Sequence, residues 1–159
     1  IWWLVTPQNP IKDLQAPPTD KRLQWCLDIT QNNPKIIVSA LETQLNTNIT
    51  FETIKKLKAY YPTTKFIWIS GMDNALNLHK WNHWQGLLEQ IPMVHLTRNP
   101  ARSLVRKCPY RMYTKQTHRF IDHGGKYPLD SGITYWMMQK KMVNISSTEI
   151  RNNTENLIT

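Results

Sequence analysis

Three small hydroxyl side chains lie together where a helix is predicted to begin. Ser146, Ser147 and Thr148 are followed, within about one helical turn, by Arg151. Free N–H groups and the dipole at a helix N-terminus favour a phosphate, and an arginine adds a planar pair of donors for its oxygens. The pattern therefore predicts an anion site. An ordinary helix start would contain the same residues, because Ser-x-x-Glu is also a capping box.

Other polar groups follow predicted strands at one edge of a sheet. Thr6 to Lys12 follow the first strand, Gly71 to Asp73 follow a strand at 66–70, and Arg98 follows the next strand. Ligands of an open parallel sheet bind beyond the carboxyl ends of its strands. Gly71 would let the backbone turn close to a ligand, and Asp73 would accept hydrogen bonds from ribose hydroxyls. Asp73 would equally serve as the cap of its own helix.

The segment from His79 to Trp84 is dense in aromatic and cationic groups, which suit stacking against a planar heterocycle. A role in the core competes with this interpretation, because the chain has seven tryptophans. We assign Trp84 to the core and Trp81, which has polar neighbours, to the site.

Cysteine and histidine positions predict neither a disulfide framework nor a zinc site. Cys26 and Cys108 form no C-x-x-C pair, so we expect buried thiols. Cys108, His118 and His123 match no standard zinc spacing, and we expect them to be structural or exposed to solvent.

These groups depend on strands that alternate with helices. The predicted strands are at 2–5, 36–39, 66–70, 93–97 and 133–138, and the first of them is predicted to be buried. The predicted helices are at 20–31 with Asp20 as cap, at 51–60 with Thr50 as cap, and after Asp73. Such alternation is typical of βαβ units and predicts the α/β class, with a parallel sheet covered by helices on both faces. Residues 100–132 lose the periodicity, and we predict a helix and a mobile loop there.

Length and composition favour one soluble domain. With 159 residues, 40% of them hydrophobic, we expect a single domain over 1–159. No apolar run approaches the roughly 20 residues of a membrane span, so we expect a cytoplasmic protein without a membrane partner. The net charge of +9 is concentrated between Arg98 and Lys126, where eight Lys/Arg accompany one acid, Asp122. This segment would attract a polyphosphate or follow a nucleic-acid backbone, although most of its charges are expected to be solvated surface.

The residues resemble those of bacterial nicotinate-nucleotide adenylyltransferases, of the nucleotidyltransferase superfamily, in their alphaproteobacterial form. The resemblance extends over nearly the whole chain. It is carried by Trp2 to Lys12, Thr50 to Ile54, Gly71 to Asn74 with Trp81 following, and Ile145 to Arg151. The last of these is similar to the superfamily signature Ile-Ser-Ser-Thr-x-Ile-Arg and is the specific one.

The resemblance implies a Rossmann-like fold that transfers AMP from ATP to nicotinate mononucleotide, releases pyrophosphate and uses Mg²⁺ with ATP. It also implies the residues that bind ATP. Asp73 would bind the adenosine ribose, and the phosphates would be held by Ser146, Ser147, Thr148 and Arg151.

The residues that bind the mononucleotide are implied in the same way. Trp81 would stack on the pyridine ring, the backbone at Thr50 and Asn82 would receive its carboxylate, and Lys12 would lie near its phosphate. Asn82 departs from the family, in which many members have an aromatic residue at this position.

Two family features have no counterpart in this sequence. Family members have a first strand, a Gly-rich turn and a His-x-Gly-His signature before the matching region, and closing helices after it. Without the signature no catalytic residue is identified, the fold is predicted to be incomplete at the N-terminus, and the chain alone is expected to be a poor enzyme.

Two other functions stay open from the sequence. A non-catalytic remnant would act as a scaffold or subunit, with a protein partner covering the place of the first strand. An RNA-binding module would use the basic segment 98–126, and its affinity would fall steeply with ionic strength. The sequence does not separate the acid from the amide mononucleotide as substrate.

Overall fold

The computed structural model describes residues 1–7, 16–31, 33–97 and 105–138. Strands in this part of the chain are β1 (Trp2–Leu4), β2 (Ile37–Ser39), β3 (Trp68–Gly71), β4 (Met93–Leu96), β5 (Thr117–Ile121) and β6 (Ile133–Met137). Its α-helices are α1 (Thr19–Thr30), α2 (Leu41–Gln44), α3 (Thr50–Tyr60), α4 (Met72–Asn77) and α5 (Trp84–Gln90). Strands alternate with helices, and the predicted α/β class is confirmed.

The chain divides into two compact units. The first unit comprises residues 1–65 and 80–90, and the second comprises residues 66–79 and those from 91 onward. One domain over 1–159 stays a prediction. Among the described helices, none is long and apolar enough to cross a membrane.

The first unit has a two-stranded parallel sheet and a pair of packed helices. Trp2 is aligned with Ile37, and Leu4 with Ser39, so β1 and β2 are joined through α1 as in a βαβ unit. Helices α3 and α5 bury their apolar faces, which contain Ile54, Leu57, Leu87 and Leu88. Periodic apolar residues in both helices therefore provide the core of this unit.

The second unit has a four-stranded parallel sheet in the order β3-β4-β6-β5. In the central strands, Met93 and His95 of β4 and Trp136 of β6 are each 0% exposed. Helix α4 follows β3 directly and buries Met72 and Ala75. A central pair of strands covered by apolar side chains is the expected arrangement of a parallel sheet.

The first strand is less buried than its sequence predicts. Trp2 and Trp3 are each 39% exposed, and only Val5, just after the strand, is fully buried. Within the described residues β1 pairs with β2 alone, so one edge of this strand has no neighbour. Apolar composition correctly predicted the strand, but the prediction of burial was wrong.

The predicted capping residues were also wrong. Pro18 and Ile49, rather than Asp20 and Thr50, occupy the N-cap positions of α1 and α3, and neither makes a side-chain cap hydrogen bond. Each helix begins one residue before its predicted start. Asp20, expected to cap α1, lies inside the first turn of that helix, and Thr50, expected to cap α3, is the first helical residue. The helices themselves are confirmed at nearly the predicted bounds.

Residues 100–132 contain a strand that the sequence did not reveal. β5 lies at the edge of the four-stranded sheet and pairs with β6, with Thr117 aligned with Ile133 and Ile121 with Met137. A short 3₁₀ helix at Pro109–Met112 precedes it. The prediction of a helix and a mobile loop was therefore wrong for the strand at 117–121.

Candidate functional site

The N-terminus of α3 presents backbone N–H groups in the first unit. Ile49 has extended backbone geometry, and the Thr53 N–H donates to its carbonyl at 3.0 Å. The amides of the three preceding helical residues, 50–52, precede the first intrahelical hydrogen bond, so they have no acceptor within the helix. Such amides, together with the helix dipole, receive a carboxylate or phosphate.

The buried carboxylate of Glu42 accepts a hydrogen bond from the first turns of α3. The Thr53 hydroxyl lies 3.0 Å from Glu42 Oε1 and 3.2 Å from the Ile49 carbonyl oxygen. Glu42 is 2% exposed, and its Oε2 has no hydrogen-bond partner among the described residues. In addition, Lys56 Nζ donates to the Leu45 carbonyl at 2.6 Å. Side chains from α3 therefore hold the loop between α2 and α3 in place.

The bend at residues 81–83 is the second part of the site in this unit. Trp81 is half-buried and Asn82 is exposed, while His83 has a φ of +56°, the left-handed region. The Trp84 N–H donates to the Trp81 carbonyl at 3.2 Å, which closes the bend, and α5 begins at Trp84. Trp84 is also half-buried, so exposure does not separate a core tryptophan from a site tryptophan here.

The α3 N-terminus and the bend are in contact. The ring centroids of Phe51 and His83 are 5.1 Å apart, with an angle of 38° between the planes. Since Thr50 precedes Phe51 and Asn82 precedes His83, two segments that the sequence separates by about 30 residues meet. This contact joins the segment that contains Thr50 to the segment that contains Trp81 and Asn82.

Asp73 lies in the second unit, at the carboxyl end of β3. It is exposed in the first turn of α4, and Asn77 Nδ2 donates to its backbone carbonyl at 3.0 Å. Gly71 is the N-cap residue, so Asp73 does not cap its own helix. Gly71 has φ −86° and ψ 175°, an extended geometry that any residue adopts, so this turn does not require glycine.

The other predicted ligand-binding residues lie outside the described residues. They are Lys12, Ser146, Ser147, Thr148 and Arg151. The predicted helix start at the hydroxyl cluster and Arg98 lie there too.

A buried group of histidine and aromatic side chains in the second unit was not anticipated. His95 Nδ1 is 2.9 Å from Ser70 Oγ, and its ring lies 5.0 Å from that of Trp136. Trp136 Nε1 donates to His118 Nδ1 at 3.1 Å. The sequence signal was a histidine inside an otherwise apolar strand, since β4 reads Met-Val-His-Leu.

Burial holds these imidazoles neutral. Desolvation, helped by the nearby His118, lowers the pKa of His95 to about 3. Desolvation, helped by Arg111, lowers the pKa of His118 to about 4. The Nε2 atoms of both rings are buried without a hydrogen-bond partner in the described part of the protein. Charging either ring there would cost free energy, because no carboxylate lies against it in these residues.

Cys108, His118 and His123 have separate environments. Cys108 is buried, and desolvation raises the pKa of its thiol to about 11. His123 is exposed and pairs with Asp122 at 2.6 Å, while His118 bonds to Trp136. Across the described residues, no three His, Cys, Asp or Glu side chains are grouped to hold a metal ion.

Parallel strands joined by helices define an α/β protein, a class in which ligands bind beyond the carboxyl ends of the strands. A family model described as cytidylyltransferase-like matches residues 1–153. The chain belongs to this family, as its resemblance to nucleotidyltransferases predicted.

The chain is also similar to individual curated proteins. It is 34% identical over 154 residues to a probable nicotinate-nucleotide adenylyltransferase of Ruegeria sp. strain TM1040, covering 95% of this chain and 79% of that protein. A protein of the same name from Cereibacter sphaeroides is 33% identical over 152 residues, covering 95% and 80%. Another, from Bradyrhizobium sp., is 30% identical over 162 residues, covering 96% and 79%. The predicted resemblance to this group of proteins is confirmed.

Proposed function

We propose that the protein transfers AMP from ATP to nicotinate mononucleotide and releases pyrophosphate, a step of NAD biosynthesis in the cytoplasm. The names of its relatives support this activity and do not favour a scaffold or an RNA-binding module. The structural observation that carries the proposal is the contact between the α3 N-terminus and the bend at 81–83. Backbone amides from one of these segments and an indole from the other would suit a pyridine ring that bears a carboxylate.

The proposed mononucleotide site uses this arrangement directly. Amides at Thr50 and Asn82 donate to the carboxylate, Trp81 stacks on the pyridine ring, and Lys12 neutralises the phosphate. The amide analogue would bind less tightly, because a neutral carboxamide gains less from the positive end of the helix dipole. The acid is therefore the proposed substrate.

The proposed ATP site uses the other residues. Asp73 accepts hydrogen bonds from the ribose, which its exposure at the carboxyl end of β3 permits. Phosphate oxygens are bound by Ser146, Ser147, Thr148 and Arg151. A divalent cation, proposed as Mg²⁺, would enter with ATP and neutralise charge, since Mg²⁺ is commonly bound through substrate phosphates and water.

Adenylyl transfer needs positioning and charge neutralisation more than a covalent catalyst. A phosphate oxygen of the mononucleotide attacks the α-phosphorus of ATP and forms a new P–O bond. The bond from that phosphorus to the oxygen bridging to the β-phosphorus breaks, and pyrophosphate leaves with the electron pair. The proposed role of this chain's residues is to bind the two nucleotides and to stabilise the developing charge on the phosphate oxygens.

Turnover with defined substrates tests the proposal. The purified protein, incubated with ATP, Mg²⁺ and nicotinate mononucleotide, is expected to bind the mononucleotide and to form the dinucleotide and pyrophosphate in equal amounts, at the low rate expected of the chain alone. Nicotinamide mononucleotide is expected to react more slowly. Absence of both product and measurable binding of nicotinate mononucleotide would contradict the proposed function.

Replacement of Trp81 tests the stacking role. Because stacking on an aromatic side chain contributes about 1–3 kcal/mol, Trp81→Ala is expected to raise the KM for nicotinate mononucleotide by roughly 10- to 100-fold. Trp25→Ala is the matched control, since Trp25 lies on α1 and is 46% exposed. Equal KM values for the two variants would exclude Trp81 from the site.

A further inference from the structure

His83 holds an unusual backbone conformation next to the candidate mononucleotide site. Its φ of +56° is in the left-handed region, which costs a non-glycine residue on the order of 1 kcal/mol. The conformation is stabilised on both sides. The Leu87 N–H donates to the His83 carbonyl at 3.0 Å, and the His83 ring lies against Phe51.

Phe51 touches the same segment at a second point. A Cβ placed on Gly86 would lie 2.8 Å from Phe51 Cε2 and 3.4 Å from its Cδ2, so the phenyl ring lies against the backbone of α5. A side chain at position 86 would therefore have to displace the Phe51 ring. Contacts at positions 83 and 86 fix the orientation of the ring as well as its distance from α5.

We propose that Phe51 is a positioning residue that sets the geometry between the amides of the α3 N-terminus and the bend at 81–83. Phe51 lies in the first turn of α3, directly after Thr50, so a displacement of its ring that is passed to the backbone would move these amides relative to the bend. A phenyl ring suits this role because it has few rotatable bonds and a rigid outline. This inference rests on the proposed function, and it assigns specificity for the mononucleotide to a residue that does not touch it.

Gly86→Ala is the informative substitution, because its effects on the helix and on the ring have opposite signs. Alanine is the better helix former by about 1 kcal/mol, so α5 by itself would gain stability. The new methyl group would, however, force the Phe51 ring away. We expect the KM for nicotinate mononucleotide to rise on the order of 10-fold, since small misplacements of substrate-positioning groups have large effects, while the KM for ATP changes less than about twofold.

The double variant decides whether Phe51 transmits the effect. In the Phe51→Leu background, Gly86→Ala has no ring to displace, so it is expected to change the KM for the mononucleotide less than about twofold. The inference would be overturned if Phe51→Leu and Gly86→Ala changed the KM for the mononucleotide independently, so that the double variant showed the product of the two single changes. An equal rise in the KM for ATP would overturn it as well, because a general loss of structure would affect both substrates.

Amide hydrogen exchange separates failure of this inference from failure of the proposed function. We expect the Leu87 amide, which bonds to the His83 carbonyl, to exchange faster in Gly86→Ala than in the Phe51→Leu/Gly86→Ala variant. Such a difference in a protein that neither forms the dinucleotide nor binds nicotinate mononucleotide would refute the proposed function and retain the role of Phe51 in holding the bend. Identical exchange in the two variants would refute that role.

Discussion

Lowering the pH from about 7.5 to about 5 is expected to destabilise the protein through His95. The ring is 0% exposed, and burial lowers its pKa to about 3, compared with an ordinary value near 6.5. Because the pKa is lower in the folded state, the unfolded chain binds a proton first. The contribution to stability is complete above about pH 6.5 and is lost as the pH falls toward about 3.

The size of the effect follows from this difference in pKa. At about pH 5 the unfolded His95 is nearly all protonated and the folded His95 nearly all neutral, which costs about 2 kcal/mol of unfolding free energy relative to about pH 7.5. His118, with a pKa lowered to about 4, adds to the loss in the same direction. Tyr110 and Trp136 surround the His95 ring without supplying a negative charge.

Urea unfolding of three proteins at the two pH values measures this contribution. His95→Gln removes the titrating ring, so its free energy of unfolding is expected to fall by about 2 kcal/mol less between the two pH values than that of the unmodified protein. His123→Gln is the control, because the His123 side chain is 77% exposed. The reasoning fails if His95→Gln and the unmodified protein lose the same stability on acidification.

Two further predictions concern hydrogen bonds in the first unit. Arg22 donates through both terminal nitrogens to carbonyl oxygens of the loop after β1, each at 2.7 Å, so Arg22→Lys is expected to lower the free energy of unfolding by about 1–3 kcal/mol although the charge is kept. Unchanged urea unfolding in Arg22→Lys would contradict this. Glu42→Ala leaves the Thr53 hydroxyl without its carboxylate acceptor, with an expected loss of about 1–3 kcal/mol, and Glu42→Gln is expected to lose less because its amide oxygen still accepts. Equal unfolding midpoints for the two Glu42 variants would refute that role.

Elements with strong apolar patterns were predictable from the sequence, whereas exposed ones were not. β4 and β6 have runs of apolar residues because both faces of a central parallel strand are buried. β5 reads Thr-His-Arg-Phe-Ile, three polar residues followed by two apolar ones, and lies at a sheet edge where its side chains are exposed or half-buried. Local composition does not report which strand will have a neighbour, and the same limit explains the wrong prediction of a buried β1.

The candidate site was partly predictable for a similar reason. The resemblance pointed to Thr50, Trp81 and Asn82, and the first unit brings their segments together. The residues that achieve this, Phe51 and Gly86, have no chemical signal in the sequence, because a phenyl ring and a glycine are ordinary parts of a core. Their importance comes from a contact between distant segments, which only the three-dimensional structure contains.

Amide chemical shifts during a titration test most directly whether the α3 N-terminus and the bend at 81–83 receive the nicotinate carboxylate. We predict saturable shifts of the Thr50 and Asn82 amides with nicotinate mononucleotide, and smaller shifts with nicotinamide mononucleotide. Saturable binding of nicotinate mononucleotide that leaves both amides unshifted would contradict this site.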